Sequence, residues 1–394
     1  MSLTLFLAAG EPSGDVLGAG LMRALKAETG GAVRFLGVGG PQMAAEGLDT
    51  LFPQADLAVM GLVEILPNLP RLMRRMAETV DACVAAKPAA LVTIDSPGFG
   101  LRVARKVKAA APAIRTIHYS APQVWAWRQG RARRMAGVID HLMALLPFEP
   151  PFFTRHGLSC DFVGHPAATR PPADAAAVAA LRAEAGGAPL LAVLPGSRRA
   201  EVARLSAPFA ETARLLRARL PDLRLVIPTV GTVADAVAAA DWGAPALILD
   251  PRGVAPAAAE AQKRAAFAAA DAALAASGTV TLELAAAGTP TVAAYRANPL
   301  TALIVRFMLK VDTAILANLA AGEKVVPEFL QEHLRPPAVA GALAALLTDA
   351  GARARQAAGF ERAMAALGRG GPPAETRAAR SLLAALEKTG QGRV

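Results

Sequence analysis

Three short stretches of the sequence place small and charged residues directly after apolar runs, where they could handle a phosphate-bearing substrate. In PLLAVLPGSRRAEVARL, the apolar run leads into Gly196, Ser197 and Arg198. Backbone N–H groups at a helix start carry about half a positive charge and point toward an anion, and an arginine fork suits diphosphate oxygens. The stretch predicts a diphosphate site, although an N-cap serine beside a solvated arginine gives the same pattern.

The second stretch, ASGTVTLELAAAGTP, carries Ser277, Gly278 and Thr279 after an apolar run and Glu283 in the following helical pattern. Small residues let a backbone approach a ligand closely. A carboxylate one turn into the helix can accept both hydroxyls of a ribose, as an acidic residue does in dinucleotide-binding folds. The alternative is that Glu283 only favours the helix N-terminus electrostatically.

The third stretch, LVTIDSPGFG, places Asp95 directly after an apolar run and before a turn with Pro97 and Gly98. A carboxylate there could act as a general base, a role that typically contributes roughly 10²–10⁴ in rate. An Asx turn or a helix N-cap is the alternative.

A fourth apolar run, LTLFLAA, leads into AGEPSGD at the start of the chain. AGEPSGD resembles a phosphate-binding turn, although Ser13 and Asp15 could simply cap the first helix.

The elements that must position these residues follow from the alternation of apolar runs with helical patterns along the chain. This alternation predicts an α/β fold with parallel sheets. A Pro-, Ala- and Gly-rich junction follows FVGHP, and the alternation then restarts. We predict two Rossmann-like domains facing across a cleft, over residues 1–168 and 187–336, followed by a helical segment and tail over residues 337–394. Ligands of such sheets lie at the carboxyl ends of the strands, where the quoted stretches fall.

Length and composition agree with a two-domain enzyme. A chain of 394 residues exceeds the size of one hydrophobic core, and 54% hydrophobic against 19% charged residues excludes a disordered chain. Two cysteines make no disulfide framework, and no signal-peptide pattern opens the sequence, so we expect the cytoplasm. A net charge of +10 indicates an anionic partner or a solvated arginine-rich surface.

Several motifs are missing from the sequence. It contains no Walker P-loop, no D-x-D, no C-x-x-C, no G-x-S-x-G elbow and no close pair among its five histidines. We therefore expect no metal and no cofactor. The stretch IHYSAPQVWAWRQGRARRM interleaves aromatics with arginines as nucleic-acid surfaces do, but it is a single cluster in a chain with 5% aromatic residues. A buried Trp125–Trp127 pair is favoured, with no nucleic-acid partner.

Two apolar stretches with interspersed basic residues, 57–76 and 300–311, fit an interfacial membrane surface. They also fit ordinary core-facing helices. No uninterrupted apolar run reaches the roughly 20 residues that span a bilayer.

Nine stretches together match one family in chain order. The chain resembles the lipid A disaccharide synthases, glycosyltransferases of Gram-negative envelope synthesis. The combination of AGE-x-SGD with H-Y-x-x-P-x-V-W-A-W-R is highly specific. The matching stretches are AGEPSGDVLGAGLMRAL (9–25), GVGGPQMAAEG (37–47), IDSPGF (94–99), IHYSAPQVWAWR (117–128), LPFE (146–149), FVGHP (162–166), LPGSRRAEV (194–202), SGTVTLE (277–283) and NLAAGEKVVPEFLQE (318–332).

The resemblance implies a glycosyltransferase-B fold and transfer of 2,3-diacylglucosamine from UDP-2,3-diacylglucosamine to 2,3-diacylglucosamine 1-phosphate, giving a β-1,6 disaccharide phosphate and UDP. The first domain would bind the acceptor and the second the UDP-sugar. Asp95 would be the catalytic base, taking the proton of the acceptor 6-hydroxyl as the anomeric carbon inverts. These acyl- and phosphate-bearing substrates favour a cytoplasmic enzyme held peripherally on the inner membrane, with 57–76 as the contact.

The remaining implied roles follow the motifs. Gly196, Ser197 and Arg198 would hold the diphosphate, Ser277, Gly278, Thr279 and Glu283 the ribose side, and Glu11, Ser13 and Asn318 would line the cleft. The sequence departs from the family at Gly98 and Gly100, where Asp and Asn are usual. It also departs at Leu316-Ala317-Asn318, which replaces L-P-N, and around Thr313-Ala314, where an aromatic residue is usual just before that motif.

Two other functions remain open on the sequence. Another enzyme of this fold that handles UDP-N-acetylglucosamine, such as a muramyl-type transferase or a 2-epimerase, would share these features. A non-catalytic basic protein that binds phospholipid or nucleic acid is the other alternative, and Asp95, Arg198 and Glu283 argue against it.

Overall fold

The computed structural model describes residues 3–57, 62–127, 129–298 and 311–387, and the side chains of all of these except 62–68. The described chain divides into two compact units, residues 1–169 with 370–394 and residues 170–369. Each unit is built on one parallel sheet with helices on its faces. The predicted α/β class with two Rossmann-like units is confirmed.

The first unit has a seven-stranded sheet in the order β3-β2-β1-β4-β5-β6-β7, within the described residues. Its central strands are buried on both faces, as expected of the apolar runs that form them. The strand order reverses between β1 and β4, where Ala9 pairs with Ile94. The strands are β1 (Leu3–Ala9), β2 (Val33–Val38), β3 (Asp49–Thr50), β4 (Ala90–Ile94), β5 (Arg115–Tyr119), β6 (His141–Ala144) and β7 (Ser159–Phe162).

Helices cover both faces of this sheet. Their apolar sides form two cores, one on each face, since alternate residues of a strand point in opposite directions. The helices are α1 (Pro12–Glu28), α2 (Pro41–Ala45), α3 (Leu62–Ala86), α4 (Pro97–Ala110), α5 (Gly130–Ala136), α6 (Pro150–Thr154) and α7 (Pro166–Thr169), with a 3-10 turn over Gln54–Leu57.

The second unit repeats the design with a six-stranded sheet in the order β10-β9-β8-β11-β12-β13, again within the described residues. Here the order reverses between β8 and β11, where Leu194 pairs with Ala275. The strands are β8 (Leu190–Leu194), β9 (Arg224–Pro228), β10 (Ala246–Leu249), β11 (Ala272–Ala276), β12 (Thr291–Tyr295) and β13 (Glu328–Leu330). The helices are α8 (Ala175–Ala185), α9 (Arg199–Arg217), α10 (Ala234–Ala238), α11 (Pro256–Ala269), α12 (Val280–Ala287), α13 (Leu316–Ala321), α14 (Pro336–Thr348) and α15 (Ala350–Ala366), with a 3-10 turn over Gln331–His333.

The last helix, α16 (Ala374–Glu387), belongs to the first unit. Its apolar side, including Leu382 and Leu386, is buried in the same core as α1. Arg380 forms an ion pair with Glu28 of α1 at 2.9 Å, and the Ser381 hydroxyl lies 2.7 Å from His141 Nε2. The described residues after 336 therefore do not form a separate segment as predicted, because α14 and α15 belong to the second unit and α16 to the first.

The stretches expected to meet a membrane are described in part. Residues 58–61, the side chains of 62–68 and residues 299–310 lie outside the description. In the described part of α3, Leu69 is 41% exposed and Met73 47% exposed. Arg71 and Arg74 are exposed beside them. No helix among the described residues is both long enough and apolar enough to cross a bilayer.

Candidate active site

The turn that carries Asp95 lies at the reversal point of the first sheet and holds an unusual backbone. Asp95 has a φ of +51° and Ser96 a φ of +39°, so two consecutive side-chain-bearing residues occupy the left-handed region. Such conformations cost about 1–3 kcal/mol each and cluster at functional sites. The Asp95 N–H donates to Tyr119 O at 2.9 Å, and Ser96 O accepts from the N–H groups of Phe99 and Gly100. The neighbouring strand and helix α4 therefore hold the strained turn in place.

The AGEPSGD loop contacts this turn directly, because β1 and β4 are neighbours. Ser13 Oγ donates to Asp95 Oδ2 at 2.6 Å. A Cβ on Gly14 would lie 3.1 Å from Ile94 O, and one on Gly10 would lie 3.1 Å from Ser96 Oγ. Both glycines leave room for the Asp95 turn, so the resemblance to a phosphate loop reflects the close approach of another loop.

Asp15 caps a different helix from the one that the sequence suggested. Its buried carboxylate accepts hydrogen bonds at 2.9 Å from the N–H groups of Gly40, Gln42 and Met43, at the start of α2. The N-cap of α1 is the partly exposed Glu11, which makes no side-chain cap. The alternative in which Ser13 and Asp15 only cap the first helix is therefore wrong, and Asp15 ties the AGEPSGD loop to GVGGPQM.

His118 lies beneath the Asp95 turn, fully buried, with Nδ1 2.8 Å from Thr93 Oγ1. Burial lowers the pKa of His118 to about 4, an effect larger than the opposing attraction of the Asp95 charge. The imidazole is thus neutral at physiological pH. A Cβ on Gly100 would lie 3.0 Å from Thr93 Cβ, whereas one on Gly98 would meet nothing within 4 Å. Gly100 therefore suits a close approach of α4 to β4, whereas Gly98 has open space around the position of a Cβ.

The aromatic stretch that follows β5 is anchored by a buried carboxyl group. Trp125 Nε1 donates to Glu149 Oε1 at 3.2 Å and Leu146 N to Glu149 Oε2 at 3.0 Å. Burial raises the pKa of Glu149 to about 7. Trp125 is buried as predicted, but Trp127 is 38% exposed, so the two do not form a buried pair. Arg128 lies outside the described residues.

The predicted diphosphate turn lies at the reversal point of the second sheet, and Glu201 occupies its N–H groups. Gly196 has a φ of +115°, and a Cβ there would lie 2.5 Å from Glu201 Oε2. Ser197 N donates to that oxygen at 3.1 Å and Arg198 N at 3.3 Å. The Arg198 side chain is 61% exposed, with Nη1 3.3 Å from Glu201 Oε1. Sequence reasoning missed Glu201, although a Glu three residues after a helix cap is the capping-box position.

Glu283, the predicted ribose ligand, belongs to a ring of four charged side chains. Its Oε1 lies 3.1 Å from Arg170 Nη1 and its Oε2 lies 3.1 Å from Lys263 Nζ. Glu260 contacts the same two cations, at 3.0 Å and 2.9 Å. Two cations fix the orientation of the Glu283 carboxylate and leave its remaining lone pairs for a ligand. Sequence spacing did not connect these four residues.

Small residues connect β11 to α12 beside this ring. Thr279 is the N-cap of α12 without a side-chain cap. Gly278 O accepts from Thr281 Oγ1 at 2.8 Å, and Ser277 Oγ donates to Ala314 O at 3.4 Å. The loop follows β11 at the reversal point, next to the loop that follows β8. The four predicted ribose and three predicted diphosphate residues therefore occupy two neighbouring loops and helix starts of one unit.

Asn318 has a different role from the predicted one. It is 1% exposed, and its amide bonds to Thr313 Oγ1 and to both the N–H and the carbonyl of Val326 at 2.7–3.1 Å. A side chain buried in this way does not line a substrate site. We correct the prediction and assign Asn318 to holding the chain between Thr313 and Val326.

No group of three or more His, Cys, Asp and Glu side chains suited to hold a metal ion occurs within the described parts of the chain. The arrangement offers a carboxylate base in the first unit. In the second unit it offers a helix start with Arg198 and an oriented carboxylate. These groups are of the types that the predicted transfer from a nucleotide-activated donor requires.

Comparison with known proteins decides between the enzymes that share this chemistry. The model of the lipid-A-disaccharide synthetase family matches residues 5–377. The lipid-A-disaccharide synthase of Ruegeria pomeroyi is 54% identical over 386 residues, covering 97% of this chain and 95% of the relative. That of Paramagnetospirillum magneticum is 48% identical over 392 residues, covering 97% of each chain. This chain belongs to the lipid-A-disaccharide synthetase family. It is a glycosyltransferase, and the resemblance drawn from its motifs is confirmed.

Solved structures agree on the fold. CalG4, the calicheamicin glycosyltransferase, superposes with a TM-score of 0.58 at 17% identity, covering 98% of this chain and 99% of that one. UDP-GlcNAc 2-epimerase from Neisseria meningitidis, bound to UDP-GlcNAc, gives a TM-score of 0.61 at 11% identity, covering 98% and 100%. At these identities the likeness concerns the fold alone, which is of the glycosyltransferase-B type.

Proposed function

We propose that this glycosyltransferase moves 2,3-diacylglucosamine from UDP-2,3-diacylglucosamine to the 6-hydroxyl of 2,3-diacylglucosamine 1-phosphate, releasing UDP. Family membership supports the reaction class. The observation that supports the assignment is that Asp95, the turn at residues 196–198 and the loop at residues 277–279 each follow a strand at which the strand order reverses. Open parallel sheets bind their ligands at such points.

Asp95 is the general base of the proposed reaction. Its carboxylate takes the proton of the acceptor 6-hydroxyl while that oxygen attacks the anomeric carbon and the bond to the diphosphate breaks. The electron pair of that bond leaves with UDP, and the anomeric configuration inverts. The strained turn supports this role, because two left-handed residues in succession are costly and such residues cluster at functional sites. Glu11, the N-cap residue of the helix that carries Ser13, faces the acceptor.

The second unit binds UDP in this proposal. The diphosphate displaces the Glu201 carboxylate from the N–H groups of Ser197 and Arg198, and the exposed Arg198 guanidinium closes on it. Fixed positive charge at a helix start stabilises the leaving UDP, so the reaction proceeds without metal or other cofactor. Glu283, oriented by Arg170 and Lys263, accepts hydrogen bonds from the ribose hydroxyls beside the loop from Ser277 to Thr279.

The acylated substrates reside in a lipid bilayer, and the exposed face of α3 fits its surface. Leu69 and Met73 offer apolar contact, and Arg71 and Arg74 offer positive charge for anionic headgroups. We propose a cytoplasmic enzyme bound peripherally to the inner membrane, with no nucleic-acid partner.

A substrate panel tests the proposed reaction. UDP release should require both a donor and an acceptor with two acyl chains each. A donor without long acyl chains, such as UDP-N-acetylglucosamine, should give no UDP and no epimer. Release of UDP from the unacylated donor, or its epimerisation, would contradict the proposal and favour another enzyme of this fold.

A further inference from the structure

We propose that Ser13 is a positioning residue for Asp95, holding Oδ2 of the carboxylate so that Oδ1 receives the proton. The inference rests on the proposed role of Asp95 as the base. It assigns the AGEPSGD loop a task in catalysis that involves no phosphate.

The hydrogen bond itself designates the reacting oxygen. The Ser13 hydroxyl donates its single hydrogen to Asp95 Oδ2 at 2.6 Å. A hydrogen bond to a charged acceptor is short and directional. Oδ2 is thus oriented by the protein, and Oδ1 is the oxygen left to accept the substrate proton.

The backbone of Asp95 makes such an orientation necessary. In a regular strand or helix the neighbouring residues restrict the direction of a side chain, whereas Asp95 and Ser96 lie in the left-handed region outside both. The Asp95 N–H is fixed on Tyr119 O at 2.9 Å. The Ser13 hydroxyl supplies a second point of attachment, on the carboxylate itself.

Structural roles do not account for the Ser13 side chain. It is exposed, so it fills no core. It is not the cap of α1, whose N-cap is Glu11. Gly10 and Gly14 leave room for the Asp95 turn, because a Cβ on either would lie 3.1 Å from it. Asp15 ties the start of α1 to the start of α2. The first turn of α1 thus presents the Ser13 hydroxyl to Asp95.

In the reaction, the acceptor 6-hydroxyl proton passes to Asp95 Oδ1 as the new C–O bond forms and UDP departs with the electrons of the broken bond. Ser13 keeps its own proton. Loss of such a positioning residue lowers kcat and leaves KM unchanged. The substrates still bind, but the Asp95 carboxylate is no longer oriented to accept the proton of the 6-hydroxyl.

The test compares Ser13→Ala and Ser13→Thr with Ser206→Ala, in which the lost hydroxyl bonds only a carbonyl of its own helix. We expect Ser13→Ala to lower kcat about ten- to hundredfold. The KM of both substrates and the affinity for UDP should change by less than about twofold. The Tm should change by less than about 2 °C. Ser13→Thr, which keeps the hydroxyl at an exposed site, should restore kcat, and Ser206→Ala should match the unchanged enzyme.

Three results would overturn the inference: an unchanged kcat in Ser13→Ala, a raised KM with unchanged kcat, or a threonine variant as slow as the alanine variant. Asp95→Asn, measured alongside, separates this inference from the function on which it rests. An active Asp95→Asn refutes the base assignment. An inactive Asp95→Asn beside a fully active Ser13→Ala refutes the role of Ser13 alone.

Discussion

The buried Glu149 carboxyl makes the stability of the first unit depend on pH in a way that one substitution removes. Glu149 joins two family motifs, because it accepts hydrogen bonds from Trp125 Nε1 and Leu146 N while being 2% exposed. Burial raises its pKa from 4.5 to about 7, more than these hydrogen bonds lower it. The folded protein therefore binds this proton more tightly than the unfolded chain does.

The sign and size of the effect follow from linkage. A raised folded-state pKa stabilises the fold below pH 4.5, and this contribution is lost as the pH rises toward 7. A difference of about 2.5 pKa units corresponds to about 3 kcal/mol in total, of which roughly 2–3 kcal/mol falls between about pH 5 and pH 8. Glu149→Gln cannot titrate. The glutamine amide keeps one acceptor oxygen, but its NH₂ group faces the N–H donor of Trp125 or Leu146. The substitution therefore lowers the free energy of unfolding by about 1–3 kcal/mol at every pH.

Urea unfolding at about pH 5 and pH 8, followed by tryptophan fluorescence, measures the effect. The free energy of unfolding of the unchanged protein, minus that of Glu149→Gln, should be roughly 2–3 kcal/mol smaller at the higher pH than at the lower pH. Glu184→Gln, at an exposed position, serves as the control and should follow the unchanged protein. A stability difference between the unchanged protein and Glu149→Gln that is the same at both pH values would refute the reasoning.

Three further predictions concern the substrates and the membrane. Arg198→Ala should weaken use of the UDP-sugar by about 1.5–3 kcal/mol in kcat/KM, and unchanged kinetics would remove Arg198 from the diphosphate site. Chelators should leave UDP release intact, whereas a strict Mg²⁺ requirement would contradict the metal-free mechanism. Raising the salt concentration to about 1 M should release the protein from anionic vesicles in a sedimentation assay if Arg71 and Arg74 help to hold it; salt-insensitive binding would point to apolar insertion through Leu69 and Met73 alone.

The fold was readable from the sequence because its central strands are buried on both faces. Runs such as Leu3–Ala9 and Leu190–Leu194 are continuous and apolar for that reason. The order of strands was not readable, since pairing is a property of the whole sheet. The reversal points that bring β1 beside β4 and β8 beside β11 appear only in the structure. The same limit applies to α16, whose amphipathic pattern predicts a buried face but not which sheet it covers.

For several site residues, the residue type alone does not determine which group the side chain binds. Gly10, Ser13 and Gly14 indicate that something approaches the backbone closely, and a phosphate or another loop gives the same pattern. The partner of Ser13 lies 82 residues away in the sequence. An Asn suits a sugar hydroxyl as well as a backbone amide, and only the burial of Asn318 decides for the backbone. Glu283 was ambiguous in the same way, and the role of Glu201 was missed, because the fold assembles the cations around Glu283 and the N–H groups around Glu201.

The proposed mechanism depends on Asp95 as the base, and single-turnover UDP release measures that role. The measurement uses the diacylated donor and acceptor with the unchanged enzyme, Asp95→Asn, and a matched Asp222→Asn at an exposed position. We predict that Asp95→Asn folds, binds UDP normally and loses about 10²–10⁴ in rate, while Asp222→Asn is unaffected. Near-normal UDP release by purified Asp95→Asn would contradict the account.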